Sequence, residues 1–108
     1  MSGEFSGALR ERVSIERARH ERDVMAGAVR GYTYDGAAWA AVTPLVPASL
    51  AEADALTALP RWQVTMRKRE GIDQRTRLVW RGRFLAVRGV MSDPREPAQM
   101  ILNCEEKR

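Results

Sequence analysis

Residues 76–90 read TRLVWRGRFLAVRGV, and the reading of this stretch decides the fold. Two β-prone runs, TRLVW and RFLAVRGV, flank Arg81 and Gly82. A two-residue connection of that kind is a tight hairpin in which glycine supplies a positive φ. Upstream, WQVTMRKR alternates Trp62, Val64, Met66 and Lys68 with Gln63, Thr65 and Arg67, the period of a half-buried strand. The turn EGIDQR separates it from the hairpin, with Gly71 and Asp73 as punctuation. Downstream, the proline-bearing loop SDPREP leads into a closing strand, AQMILNCEE.

Toward the N-terminus the same grammar holds. RERVSIER places Val13 and Ile15 on one side and Arg12, Ser14 and Glu16 on the other. The charged, glycine-bearing text ARHERDVMAGAVRG then reads as a mobile hairpin loop. YTYDGAAWAAVTPL resumes strand character through Tyr32, Tyr34, Trp39, Val42 and Thr43, with a bend or bulge at Gly36. One helix is expected, over Pro47–Leu59. Ser49 and Glu52 have capping-box spacing, alanines fill its length, and Pro60 stops it. The first nine residues read as a flexible arm. The expectation is a single mainly-β domain over residues 1–108, a small six-stranded barrel or rolled antiparallel sheet with one inserted short helix and long loops.

Composition narrows the chemistry. At 108 residues, 44% hydrophobic and 30% charged, the chain has the make-up of one ordinary globular domain. No stretch approaches the roughly 20 apolar residues of a membrane helix, and no signal-peptide run opens the chain, so the cytoplasm is the expected place of synthesis. A lone cysteine, Cys104, excludes an intrachain disulfide and reads as a small core residue. A lone histidine, His20, sits in the charged run RARHERD and reads as a surface residue, which leaves hydrolytic triads and zinc sites without parts. No phosphate-binding glycine loop is present, and the carboxylates fall beside arginines, so neither a catalytic group, a metal nor a cofactor is expected.

The charge is +4, and all but Lys68 and Lys107 of the 18 cationic residues are arginine. Nine cations lie between Arg61 and Arg88, opposed only by Glu70 and Asp73, with Trp62, Trp80 and Phe84 among them. Such a patch can follow a phosphate backbone. The competing explanation is that cations occupy the outward positions of exposed strands while the aromatics face the core. A small basic β-barrel that binds nucleic acid is therefore the alternative function.

Three blocks taken in order, GALRERVSIER, DVMAGAVRGYTYDGAAWAAVTPL and VTMRKREGIDQRTRLVWRGRFLAVRGV, resemble the phage head–tail joining family of small adaptor, closure or stopper proteins. The third block is the most specific, through the spacing from its G-I-D turn to the W-R-G-R hairpin. The family includes the joining parts of gene transfer agents. The resemblance implies a non-enzymatic β-barrel subunit of a six- or twelvefold ring. Its neighbours would be a portal or adaptor ring on the head side and a tail terminator or tail tube protein on the tail side. It would meet packaged DNA without reading sequence, involve no membrane, and end in the phage or phage-like particle. In that setting Arg75, Arg77, Arg81 and Arg83 are the DNA-channel candidates. The two long connections are the expected docking loops, with Arg22, Asp23 and Arg30 in the first and Leu50, Leu56 and Leu59 in the second.

Overall fold

The computed structural model describes residues 9–20, 29–45 and 59–107. Six strands account for most of them: β1 (Glu11–His20), β2 (Val29–Pro44), β3 (Arg61–Arg67), β4 (Thr76–Trp80), β5 (Arg83–Met91) and β6 (Gln99–Lys107). They close into an antiparallel barrel in the order β1-β2-β3-β6-β5-β4. The fold class expected from the sequence is thus the one observed. The described residues contain no helix, and the helix expected at 47–59 lies outside them except for Leu59, which is irregular.

The period-2 alternation sets the core. Val13 and Ile15, Val64 and Met66, Leu78 and Trp80, Leu85 and Val87, and Leu102 and Cys104 all point inward and are buried. Each large aliphatic among them stabilises the barrel by about 1.5–3 kcal/mol relative to exposure. Cys104 is a core residue, as its alternating context indicated. Burial pushes its thiol pKa up to about 12, so it stays protonated and inert.

Two irregularities bend the walls. Between Ser14 and Glu16 the register with β2 slips, so that Asp35 and Gly36 form a bulge opposite Ile15. Gly36 has φ +106, a conformation that favours glycine, and its open side admits the Arg69 guanidinium, which donates to the Asp35 carbonyl. At the β4–β5 hairpin both connecting residues, Arg81 (φ 51) and Gly82 (φ 77), are left-handed. That matches the twist of the flanking strands, so Arg81 shares a role assigned from sequence to Gly82 alone.

The stretch ARHERDVMAGAVRG is not all loop: β1 continues to His20 and β2 begins at Val29. Arg19, Arg30 and Gly31 therefore lie in a two-stranded ribbon that outruns β4. Arg19 and Gly31 pair directly. Charge had masked the strand because Arg19 is exposed and Gly31 carries no side chain, so no apolar alternation marks that pair.

The register places the two long connections at opposite ends of the barrel. Leu45 and Pro60, which flank residues 46–58, hydrogen-bond to Arg61 and Glu106, beside the Arg81–Gly82 hairpin side of the sheet. His20 and Val29, which flank residues 21–28, lie toward the Glu70–Arg75 turn, where Ala18 N donates to Arg75 O.

Candidate functional site

Three features of the surface carry the site: one end cap, one stacked arginine and one basic concavity. At the end that bears Leu45 and Pro60, Trp62 and Trp80 meet edge-to-face with ring centroids 4.9 Å apart. Each indole N–H donates to a carboxylate, Trp62 to Glu106 at 3.0 Å and Trp80 to Glu11 at 2.8 Å. Each carboxylate also holds an arginine. Arg81 binds both oxygens of Glu11, at 3.0 and 2.8 Å, and Arg83 lies 3.8 Å from Glu106 and over both indole rings. The Glu11 carboxyl is held below its ordinary 4.5 chiefly by the Trp80 indole, with Arg81 adding to it and partial desolvation opposing.

On the outer wall, the Arg77 guanidinium is stacked between two rings, 3.8 Å from the centroid of Tyr32 and 4.2 Å from that of Phe84. Glu16 on β1 fixes it at 2.6 Å. Strand alternation explains the grouping. Glu16, Arg77 and Phe84 all occupy outward positions on adjacent strands, and Tyr32 pairs with Ala18 two residues beyond Glu16. Beside this stack lies an open concavity of about 320 Å³ floored by Ala18 and Ala86 and rimmed by Tyr32, Arg75, Arg88 and Lys107.

The charge bookkeeping of the concavity is uneven. Arg88 binds Glu105 through Nε at 3.1 Å and Nη2 at 2.9 Å, and Lys107 lies 3.9 Å from the same oxygen. These contacts, led by the Arg88 hydrogen bond, keep the Glu105 carboxyl below its ordinary 4.5. Arg75 uses its backbone N–H to reach Asp73 Oδ1 at 2.8 Å, and no ion pair joins its side chain to any described residue.

The four channel candidates are thus distributed over two places. Arg75 and Arg77 belong to the outer-wall concavity, and Arg81 and Arg83 to the tryptophan-capped end. Arg77, Arg81 and Arg83 are engaged by carboxylates. Of the docking candidates, Leu59 is half-buried beside the insert's root, and Arg30 lies in β2. Arg22, Asp23, Leu50 and Leu56 lie outside the described residues. Sequence reasoning missed Glu11, Glu16, Glu105 and Glu106, which position the cations, and missed Arg88 and Lys107 as neighbours of Arg75. Only the last pair had a local signal, since Arg88 follows buried Val87 and Lys107 continues the outward face of β6 beyond buried Cys104.

Solved structures share this fold. The solution structure of protein SF1141 from Shigella flexneri 2a superposes with a TM-score of 0.71 at 22% identity, over 93% of this chain and 94% of that one. A chain of the virion of a native gene transfer agent particle also superposes with a TM-score of 0.71, at 18% identity, over 92% of this chain and 96% of its own. No curated protein sequence matches. The sequence matches the phage head completion protein family over residues 6–107, nearly its whole length, and the chain belongs to that family.

Proposed function

We propose that this chain is the subunit of a joining ring in a phage or phage-like particle, seated between a portal or adaptor ring and the tail, where it closes the DNA channel and docks the tail. Family membership makes it a structural component of a phage or phage-like particle. The observation that carries the finer reading is the placement of its two long connections at opposite ends of one closed barrel. A part that joins two different assemblies needs two docking elements facing apart on a rigid body, and a closed barrel with no hinge between its ends supplies one.

The packaged DNA is met without base reading. Arg81 and Arg83, at the tryptophan-capped end, are the candidates for the channel wall among the four arginines, and their carboxylate partners weaken any affinity for free nucleic acid. That pre-engagement also disfavours the alternative of a free nucleic-acid-binding barrel, whose cations would need to be available for phosphate.

Particles assembled without this chain test the reading. They are expected to accumulate as filled heads that lack tails and lose DNA on standing, as seen by electron microscopy and nuclease protection. Tailed, DNA-retaining particles in its absence would overturn the proposal.

A further inference from the structure

Four cations, Arg75, Arg77, Arg88 and Lys107, line the outer-wall concavity, and two carboxylates, Glu16 and Glu105, pair with them. Glu16 is committed to Arg77, and one oxygen of Glu105 serves both Arg88 and Lys107. Arg75 is exposed, and its side chain has no ion-pair partner among the described residues. A hollow with more cations than carboxylates attracts an anion. Its shape and lining decide which one.

The hollow measures about 320 Å³, the scale of a side-chain or small-ligand pocket. Its floor is the methyl carbon of Ala18 and Ala86, with the Tyr32 ring at the rim. Apolar carbon there gives a phosphate nothing, whereas it covers the methylenes of a glutamate or a small apolar neighbour. A duplex would have to span the hollow with Glu16 and Glu105 set against its phosphates. The Arg75 guanidinium, by contrast, offers the fork that takes a carboxylate through two parallel hydrogen bonds. The fitting occupant is a peptide that carries carboxylates.

Two observations say whose peptide it is. Glu11, Glu16, Glu105 and Asp93 are each held by an arginine of their own chain, so a second copy has little acid to offer through its described residues. Ala18 and Arg75 line the hollow and also belong to the turn end, where Ala18 N donates to Arg75 O and β1 and β2 run on toward residues 21–28. The hollow thus opens beside one of the two docking ends.

Resting on the joining-ring reading above, we infer that the concavity rimmed by Arg75, Arg88 and Lys107 is a docking pocket for an acidic segment of the assembly that meets the turn end of the barrel. Arg75 grips one carboxylate, Arg88 and Lys107 draw a second, and the apolar carbon between them settles on Ala18 and Ala86. Arg77, clamped by Glu16 between Tyr32 and Phe84, forms the wall of the pocket and takes no part in the pairing.

Photo-crosslinking and charge reversal in assembled particles test the pocket. A benzophenone amino acid replaces Gln74, an exposed residue of the lining. Irradiation of purified particles is expected to attach it to a peptide rich in Asp and Glu from a portal, adaptor or tail protein. A peptide of a second copy of this chain, a crosslink to DNA, a peptide without acidic residues or no crosslink at all would each overturn the pocket. In a second arm, Arg75→Glu/Lys107→Glu is expected to lower incorporation of the chain into particles by on the order of a hundredfold, as like charges come together. Both residues are exposed, so its thermal unfolding should match that of wild type. Changing the crosslinked carboxylates of the partner to lysine is expected to restore incorporation to within a few-fold of wild type, which a folding defect would not allow. Failure of that exchange to rescue would also overturn the pocket. An acidic peptide from a shell protein would keep the pocket and overturn the joining-ring reading, and absence of the wild-type chain from purified particles would overturn both.

Discussion

The two ends of the barrel are closed by different physics. At one end, two tryptophans pack edge-to-face and hand their N–H groups to Glu11 and Glu106, and the arginines stack outside them. At the other, Met66, Met100 and the half-buried Ile72 supply the carbon, and closure adds polar side chains that reach backbone carbonyls. Arg17 donates to Gly71 O, Arg69 to Asp35 O, and Gln74 Nε2 to Arg88 O at 3.1 Å. Asp73 and Thr76 bond each other's backbone and tie the intervening turn. The tryptophan end, which emits residues 46–58, therefore has a base set by dense packing. The turn end, which emits 21–28, has one set by exposed hydrogen bonds that are individually weak. A connection that must hold a position against a neighbour gains from the first kind of base.

The largest consequence of this difference is in stability. Trp80→Ala removes a buried aromatic, its edge-to-face contact with Trp62 and the indole that anchors Glu11, and is expected to destabilise the fold by about 3–5 kcal/mol. Arg17→Ala, at the opposite end, is expected to cost under about 1 kcal/mol. Urea unfolding of the two variants checks the contrast. Equal losses would show that the ends are held alike.

This asymmetry was only half legible in the sequence. All six strands were marked by alternation or by turn residues, because a barrel wall this thin obliges every strand to bury one face. Closure was suggested by six short strands and is confirmed by the β1–β4 pairing. The pairing of Arg19 with Gly31 has no signal in the sequence because Arg19 is exposed and Gly31 has no side chain, and period 2 reports burial, not hydrogen bonding. The arginine cluster was visible as charge, but its partition was not. Glu11 precedes Arg81 by 70 residues, and Glu16 precedes Arg77 by 61, so only the barrel's closure brings them together. Ion pairs across a sheet have no sequence period to announce them.

A smaller effect sharpens the account of the bulge that shapes the turn end. Gly36→Ala forces a side chain into a φ of +106 and is expected to cost about 1–3 kcal/mol. The new Cβ would also lie 2.7 Å from Arg69 Nη2, but that atom ends a flexible side chain. Backbone strain should then dominate, and adding Arg69→Ala to Gly36→Ala should restore little of the loss. Thermal denaturation of the single and double variants checks it. Recovery of most of the stability in the double variant would assign the cost to the clash and leave the bulge conformation unstrained.

The smallest effect is a local response to acid at the tryptophan end. Glu11 is held below its ordinary 4.5 in the folded protein, first by the Trp80 indole and then by Arg81. A carboxyl with a lowered folded pKa binds fewer protons in the native state than in the unfolded one. Its contribution is therefore complete above about pH 4.5 and is lost as pH falls through the lowered value. Glu105, paired with Arg88 on the outer wall, has the same sign. Protonating Glu11 weakens its hold on Arg81 and on the indole at once, while the turn end's carbonyl acceptors do not titrate. Indole fluorescence should accordingly change below pH 4.5 before global unfolding. Trp39 is 53% exposed and would mask the signal, so the measurement is made in a Trp39→Phe background. In that background Glu11→Gln keeps an oxygen for the indole and removes the titrating charge, and the acid step is expected to disappear. Its persistence with unchanged midpoint in Glu11→Gln would show that another group governs this end, and that the Glu11 contact is only one of packing.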